Sequence, residues 1–399
     1  MTTADTAQDN LLPWRDPEFR LAPWPWYQRL RRDHPVYKMA DGTYIVSRYS
    51  DVSEFAKLPS MSILEPGGVV TGPWAALKNT VLSMDPPEHT AMRRHSNRWF
   101  TPKLVKRWVE VTEAVTNEAI DRLGADGEIE AHRELAVIPT HVTMCRVFQL
   151  PEDNVDPVID AMNDVMVALI AEPQPGDWDR ADASFQYLLD RCAGMLADKR
   201  RNPGDGLADE MLAAVDRGEM TERQVLETVT LFWGSGAPNP GYLIAAGIEE
   251  FARNPQVFGT YRSDPSTRKA IVNELIRMNN PEISIVRFPT EDVEIRGVQI
   301  PAGSRIRFML ASANRDPEVF EHPEEFDHIR PPEASRNLAF GLGPHSCAGQ
   351  VISRAETETV LTAIAERIDR IELIEEPTVA HTDRARAYLK MPVRLSPAR

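Results

Sequence analysis

Apolar positions recur at helical spacing through most of this chain and alternate at strand spacing in only a few short stretches, which predicts a mainly α fold with a smaller β region. A short helical pattern over 23–32 stops before His34-Pro35. The runs 36–39 and 44–49, joined through Asp41-Gly42, read as a β-hairpin. Residues 51–58 predict a helix. Residues 59–83, punctuated by Pro66-Gly67-Gly68 and Gly72-Pro73, predict a loop of the kind that borders a ligand site. Met84-Asp85-Pro86-Pro87-Glu88-His89 opens the next helix, since proline is tolerated in a first turn. From 101 to about 200 the pattern is mainly helical, with breaks at 124–127, 150–151 and 172–177.

The longest helical stretch runs from Thr221 to Asn254 and opens on a capping signal, Thr221-x-x-Gln224. Its middle reads Phe232-Trp233-Gly234-Ser235-Gly236-Ala237-Pro238-Asn239-Pro240-Gly241, which a regular helix does not cross unperturbed. Pro238 and Pro240 have no N–H, so the carbonyls of Gly234 and Gly236 lose their i+4 donors and a kink is expected. Carbonyls freed in this way and buried need water, a hydroxyl or a ligand. Further on, the pattern predicts a helix over 264–280, strands within 281–300 turning at Arg296-Gly297, and an apolar strand over 306–311. A proline-rich meander follows over 314–336. The chain closes with a helix over 351–367, short strands near 371–373 and 391–395, and a loop tip at 382–387.

Composition narrows the partners. Of 399 residues 42% are hydrophobic, enough for a sizeable core, and a net charge of -15 argues against nucleic acid and anionic membrane. One stretch reverses that sign: 91–107 carries six Lys/Arg and no acid. The three cysteines, Cys145, Cys192 and Cys347, are far apart and form no disulfide or zinc pattern, which fits a reducing cytoplasm. No apolar leader or membrane-length run is present.

Cys347 occupies an unusual position. It follows the glycine-punctuated run Phe340-Gly341-Leu342-Gly343-Pro344-His345-Ser346 and precedes Ala348-Gly349 and a helix start. Peptide N–H groups and the positive end of the helix dipole both favour a thiolate there, the kind of axial ligand that promotes O–O cleavage on haem iron. In Phe340, Gly343, His345, Cys347 and Gly349 the chain resembles the cytochrome P450 family, in its bacterial soluble branch, whose signature reads F-x-x-G-x-[HR]-x-C-x-G. Glu274-x-x-Arg277, followed by Phe326-Asp327-x-x-Arg330, resembles the family's structural triad of Glu274, Arg277 and Arg330.

The resemblance spans 84–356 and implies one P450 domain over 1–399, with its β-rich part at about 30–50 and 284–310. It implies haem b, ligated by Cys347 and bordered by Phe340 and Gly349. His89, Arg93, Arg287 and His345 are its expected propionate donors. The remaining cations of 91–107 become an expected dock for an acidic ferredoxin-type electron donor. By position, Phe232, Trp233, Ala237 and Ile285 are expected in the substrate wall, together with the 59–83 loop, and the helices flanking 172–177 form a lid. One departure stands out. The acid and alcohol that serve proton delivery in the family fall here on Pro238 and Asn239, leaving Ser235 as the nearest hydroxyl and Gly236 as a source of a free carbonyl.

Two reaction classes therefore stay open: oxygen insertion into a hydrophobic or aromatic small molecule, plausibly in secondary metabolism, or oxidative coupling of phenol or indole groups, in a small molecule or a peptide, without oxygen insertion. A catalytically silent haem-binding carrier is the third possibility.

Overall fold

The computed structural model describes residues 11–398 except 69, 99, 125, 154, 170–172, 332–333 and 380–386. The 382–387 loop tip and the centre of the expected lid thus lie largely outside the described residues.

Eight helices frame the site: α1 (Glu88–Asn97), α2 (Pro102–Leu123), α3 (Ile138–Phe148), α4 (Asp177–Arg201), α5 (Glu222–Gly236), α6 (Pro238–Arg253), α7 (Arg268–Met278) and α8 (Gln350–Arg367). Apolar side chains of α2 to α5 form one core, and those of α6, α7 and α8 form a second. The β-rich part is a five-stranded sheet of β1 (Val36–Lys38), β2 (Tyr44–Val46), β3 (Met61–Ser62), β4 (Ile285–Pro289) and β5 (Ile306–Phe308), in the order β1-β2-β5-β4-β3. The β1–β2 hairpin pairs as expected, Val36 opposite Val46, while β2 and β5 run parallel. A second, three-stranded sheet joins Gly127–Glu130, Pro392–Pro397 and Ile368–Leu373. Its central strand lies more than 200 residues from one partner, so no local pattern announces it.

One expectation is corrected. The apolar run 306–311 is a strand only to Phe308. Met309 donates its N–H to the Val46 carbonyl at 2.8 Å, after which Leu310–Ala313 turn helical. All these residues except Arg307 are buried, and a short apolar run does not distinguish the two states. The kink expected in 221–254 falls at Ala237 (φ -99°, ψ -49°) and divides the stretch into α5 and α6, because the amide donors of Pro238 and Pro240 are missing. The Thr221–Gln224 capping box forms as read, with Thr221 Oγ1 accepting from the Gln224 N–H.

The triad residues meet. Glu274 accepts from Arg277 Nε and Nη2 at 2.9 and 2.6 Å and from Arg330 Nε at 3.2 Å, with all three side chains buried. Arg277 also donates to the carbonyls of Asn314 and Pro323, each at 2.8 Å, which ties the meander to α7. Phe320 lies beneath both guanidiniums. Both cations and the anion are therefore compensated inside the core, the condition for such groups to be retained there.

Candidate active site

The cysteine loop is shaped by two glycines at positive φ, Gly341 (70°) and Gly343 (69°). A side chain at Gly343 would also sit 3.0 Å from Lys57 Cβ, so this turn needs glycine for both conformation and space. The loop closes through the Cys347 N–H, which donates to the Phe340 carbonyl at 2.8 Å. Gly349 then caps α8. Phe340 stacks against the Arg354 guanidinium 4.4 Å away, an aromatic–cation contact between loop and helix.

Backbone N–H groups of Gly349 and Gln350 do face the sulfur, as expected, and the Arg93 and Arg354 guanidiniums lie near enough to favour its charge. Burial nevertheless outweighs them and pushes the Cys347 thiol above its ordinary range. A metal held by this sulfur would supply the further positive charge that favours the thiolate.

Around this loop the chain gathers an excess of buried donors. His89 and His345 lie ring to ring, with centroids 4.1 Å apart, one from α1 and one from the loop. Neither nitrogen of His89 has a hydrogen-bond partner, and Nε2 of His345 has none either, its nearest acid being Asp85 Oδ1 at 3.5 Å. Burial, then His89 and Arg287, hold the His345 imidazole down to about 4. Arg287, on β4, is 6% exposed; its Nη1 donates to the adjacent Val286 carbonyl at 2.8 Å. Burial lowers its guanidinium to about 10, and among the described residues it forms no ion pair. Arg93 turns inward and donates to the Ser346 carbonyl at 2.6 Å.

A buried cation that Asp85 attracts without forming an ion pair, beside two imidazoles with idle nitrogens, is costly unless further anions complete it. The two carboxylates of haem b would supply those anions, and Cys347 would be the residue that holds its iron. Asp85 was not foreseen here. It accepts from Ser62 Oγ and from the Ile63 N–H, and so brings a carboxylate to the edge of the donor cluster.

At the break between α5 and α6, Ser235 Oγ donates back to the Leu231 carbonyl at 2.8 Å, and Asn239 Nδ2 donates to the Ser235 carbonyl at 3.3 Å. Oδ1 of Asn239 is buried and unpartnered. Outside help reaches the Ala237 carbonyl, which accepts from the Gly241 N–H and from Thr140 Oγ1, both at 3.1 Å; the same Thr140 hydroxyl is shared with the Val137 carbonyl. Neither Thr140 nor this carbonyl was anticipated, because a contact spanning 97 residues leaves no local trace.

The expected substrate wall separates. Phe232 is half-buried and packs edge-on against Phe100, and Ile285 is partly buried on β4 opposite Phe308. Trp233 and Ala237 are core instead. Trp233 is 1% exposed and stacks on His141 of α3, while Ala237 is fully buried where its carbonyl meets Thr140. Gly236 faces the same helix: a Cβ there would overlap Met144 Cε, 1.8 Å away. This face of α5 therefore packs on α3, and helical periodicity alone did not say which apolar face met which neighbour.

On the basic stretch, Arg94, Arg98, Lys103, Lys106 and Arg107 are exposed. Arg98 lies 3.9 Å from Glu210 and Lys106 3.8 Å from Glu110, whereas Arg94, Lys103 and Arg107 have no acid within 4 Å among the described residues. No helix among the described residues is long and apolar enough to cross a membrane.

Comparison with known proteins gives a consistent picture. The family model described as Cytochrome P450 matches residues 267–380, which include the triad and the cysteine loop. A vitamin D(3) 25-hydroxylase of Pseudonocardia autotrophica is 29% identical over 100% of this chain and 99% of its own. A 20-oxo-5-O-mycaminosyltylactone 23-monooxygenase of Streptomyces fradiae is 28% identical over 86% of this chain and 81% of its own. In fold, the chain is similar to P450BioI, solved with a hexadec-9Z-enoic acid ligated acyl carrier protein, at a TM-score of 0.89 and 20% identity, covering 95% of this chain and 99% of that one.

Proposed function

This chain belongs to the cytochrome P450 family of haem-dependent oxidoreductases, and from that premise we propose that it inserts oxygen into a hydrophobic or aromatic small molecule of secondary metabolism, with Cys347 as the proximal ligand of haem b. The observation that carries the assignment of the site is the donor cluster of buried His89 and Arg287 with half-buried Arg93 and His345, short of anions, beside the Cys347 loop. When bound, haem supplies the redox chemistry that activates oxygen. The residues of this chain hold it, shape the space beside it and govern proton access.

Proton access is where this chain departs from the pattern that the family resemblance implies. Pro238 has no proton to give, Asn239 is an amide, and the Ser235 hydroxyl is engaged with Leu231. Water held by Asn239 Oδ1 and by the Gly234 and Gly236 carbonyls, which have no i+4 N–H at Pro238 and Pro240, takes the place of an acid–alcohol pair. The same feature favours a second reading, in which hydrogen atoms are abstracted from a phenol or indole and the ring is coupled without oxygen insertion, with peroxide as an alternative oxidant. Arg94, Lys103 and Arg107 offer an acidic ferredoxin-type donor a face free of internal ion pairs. Three free cysteines suit a reducing cytoplasm.

The test starts with dithionite and carbon monoxide. A red-shifted Soret band of the thiolate type is expected, and its absence from intact protein refutes the haem–thiolate site. Turnover is then compared with a ferredoxin system and with peroxide, in the natural chain and in the double variant Pro238→Asp, Asn239→Thr. A rise in oxygen-inserted product in the variant supports the first reading. Coupled product in both, at equal rates, supports the second. A normal band with no turnover by either route identifies a carrier.

A further inference from the structure

Glu227 lies on α5 two turns before Ser235 and is fully buried. Both of its oxygens are taken by one distant residue. Oε2 accepts from the Asn79 backbone N–H at 2.7 Å and Oε1 from Asn79 Nδ2 at 2.8 Å. Arg223, one turn earlier on the same helix and half-exposed, donates its Nε to Oε1. A carboxylate is retained in a core when donors compensate it, and here two of the three come from Asn79 in the 59–83 loop.

Apolar contacts also hold the 72–83 part of that loop. Trp74 meets Phe185 of α4 with ring centroids 5.9 Å apart. Trp178, at the start of α4 and 48% exposed, covers Gly72 so closely that a Cβ there would lie 3.3 Å from its ring. Leu77 and Val81 are buried in the core that also holds Leu188 and Val229. Apolar contacts are non-directional and adjust by sliding, whereas the paired amide–carboxylate contact has one geometry. Loop position along α5 is thus set at Glu227. From Asn79 the chain runs ten residues to His89, so the same anchor is linked to the donor cluster.

We propose that Glu227 is a positioning residue that latches the 72–83 segment onto α5 and thereby sets the size of substrate admitted to the space beside the helix break. This rests on the haem-site reading above, which places 59–83 at the border of that space.

The test uses the haem-loaded, oxidised protein with imidazole and the bulkier 4-phenylimidazole as probes, following the Soret shift by stopped flow and hydrogen exchange of 72–83 by mass spectrometry. In Glu227→Gln the association rate for 4-phenylimidazole should rise several-fold more than that for imidazole, and exchange in 72–83 should quicken. Asn79→Ser, which removes only the side-chain contact, should shift both readouts the same way by less, and it decides the matter should Glu227→Gln not load haem. An unchanged ratio of the two association rates in a variant with a normal carbon monoxide band overturns the latch. No Soret shift with imidazole in the natural chain overturns the haem-site reading on which the latch rests.

Discussion

Replacing Glu356 by glutamine probes how the cysteine-bearing helix is held. Glu356 sits on α8, nine residues after Cys347, with no exposed surface. Its Oε1 accepts from Trp108 Nε1 of α2 at 2.9 Å, and its Oε2 has no partner. Burial raises its carboxyl from 4.5 to about 8, with the Trp108 hydrogen bond opposing the rise. At neutral pH the folded protein therefore keeps this proton and the unfolded chain does not. The stabilising contribution is complete below about 4.5 and is lost as pH rises through about 8. Each pH unit in that window costs about 1.4 kcal/mol, so between about pH 6 and pH 9 the natural chain loses roughly 2–3 kcal/mol through this one group. Glutamine keeps an oxygen for Trp108 and does not titrate. Urea unfolding of the haem-loaded protein, followed by far-UV circular dichroism at both pH values, should show the variant gaining roughly 2–3 kcal/mol on the natural chain as pH rises. A constant offset at all pH values refutes the reasoning and means that Glu356 is already ionised in the fold.

Other tests reach the rest of the scaffold. Glu274→Gln leaves the Arg277 and Arg330 guanidiniums buried without their anion and should cost about 3–5 kcal/mol, read by denaturation together with haem content. Gly247→Ala would place a methyl 2.7 and 2.9 Å from the two Leu361 methyls and 3.2 Å from Leu275, an overpacking cost of about 1–3 kcal/mol in the same assay. Gly259→Ala is its control, since nothing lies within 4 Å of that Cβ, and it should stabilise by about 0.5–1 kcal/mol. Cys347→Ala should abolish the thiolate-type Soret band of the carbon monoxide complex, and retention of the band would move the ligand elsewhere.

What the sequence determined by itself is local in origin. The turn at Gly341 and Gly343, the cap at Gly349 and the position of Cys347 follow from residues within ten places of one another. The i, i+3 spacing of Glu274 and Arg277 and the i, i+4 spacing of His89 and Arg93 follow from helical geometry. The break at Pro238 and Pro240 was legible because a missing N–H is a covalent fact. Tertiary structure decided the rest, because burial and long-range pairing depend on which elements meet. It turned Trp233 onto His141 and away from the wall. It made burial prevail over the N–H groups at the Cys347 thiol, gave the Ala237 carbonyl its hydroxyl from Thr140, and set Asn79 against Glu227 across 148 residues. A single side chain carries its hydrogen-bonding capacity wherever it stands in the sequence, but its partner, its exposure and hence its charge belong to the assembled fold.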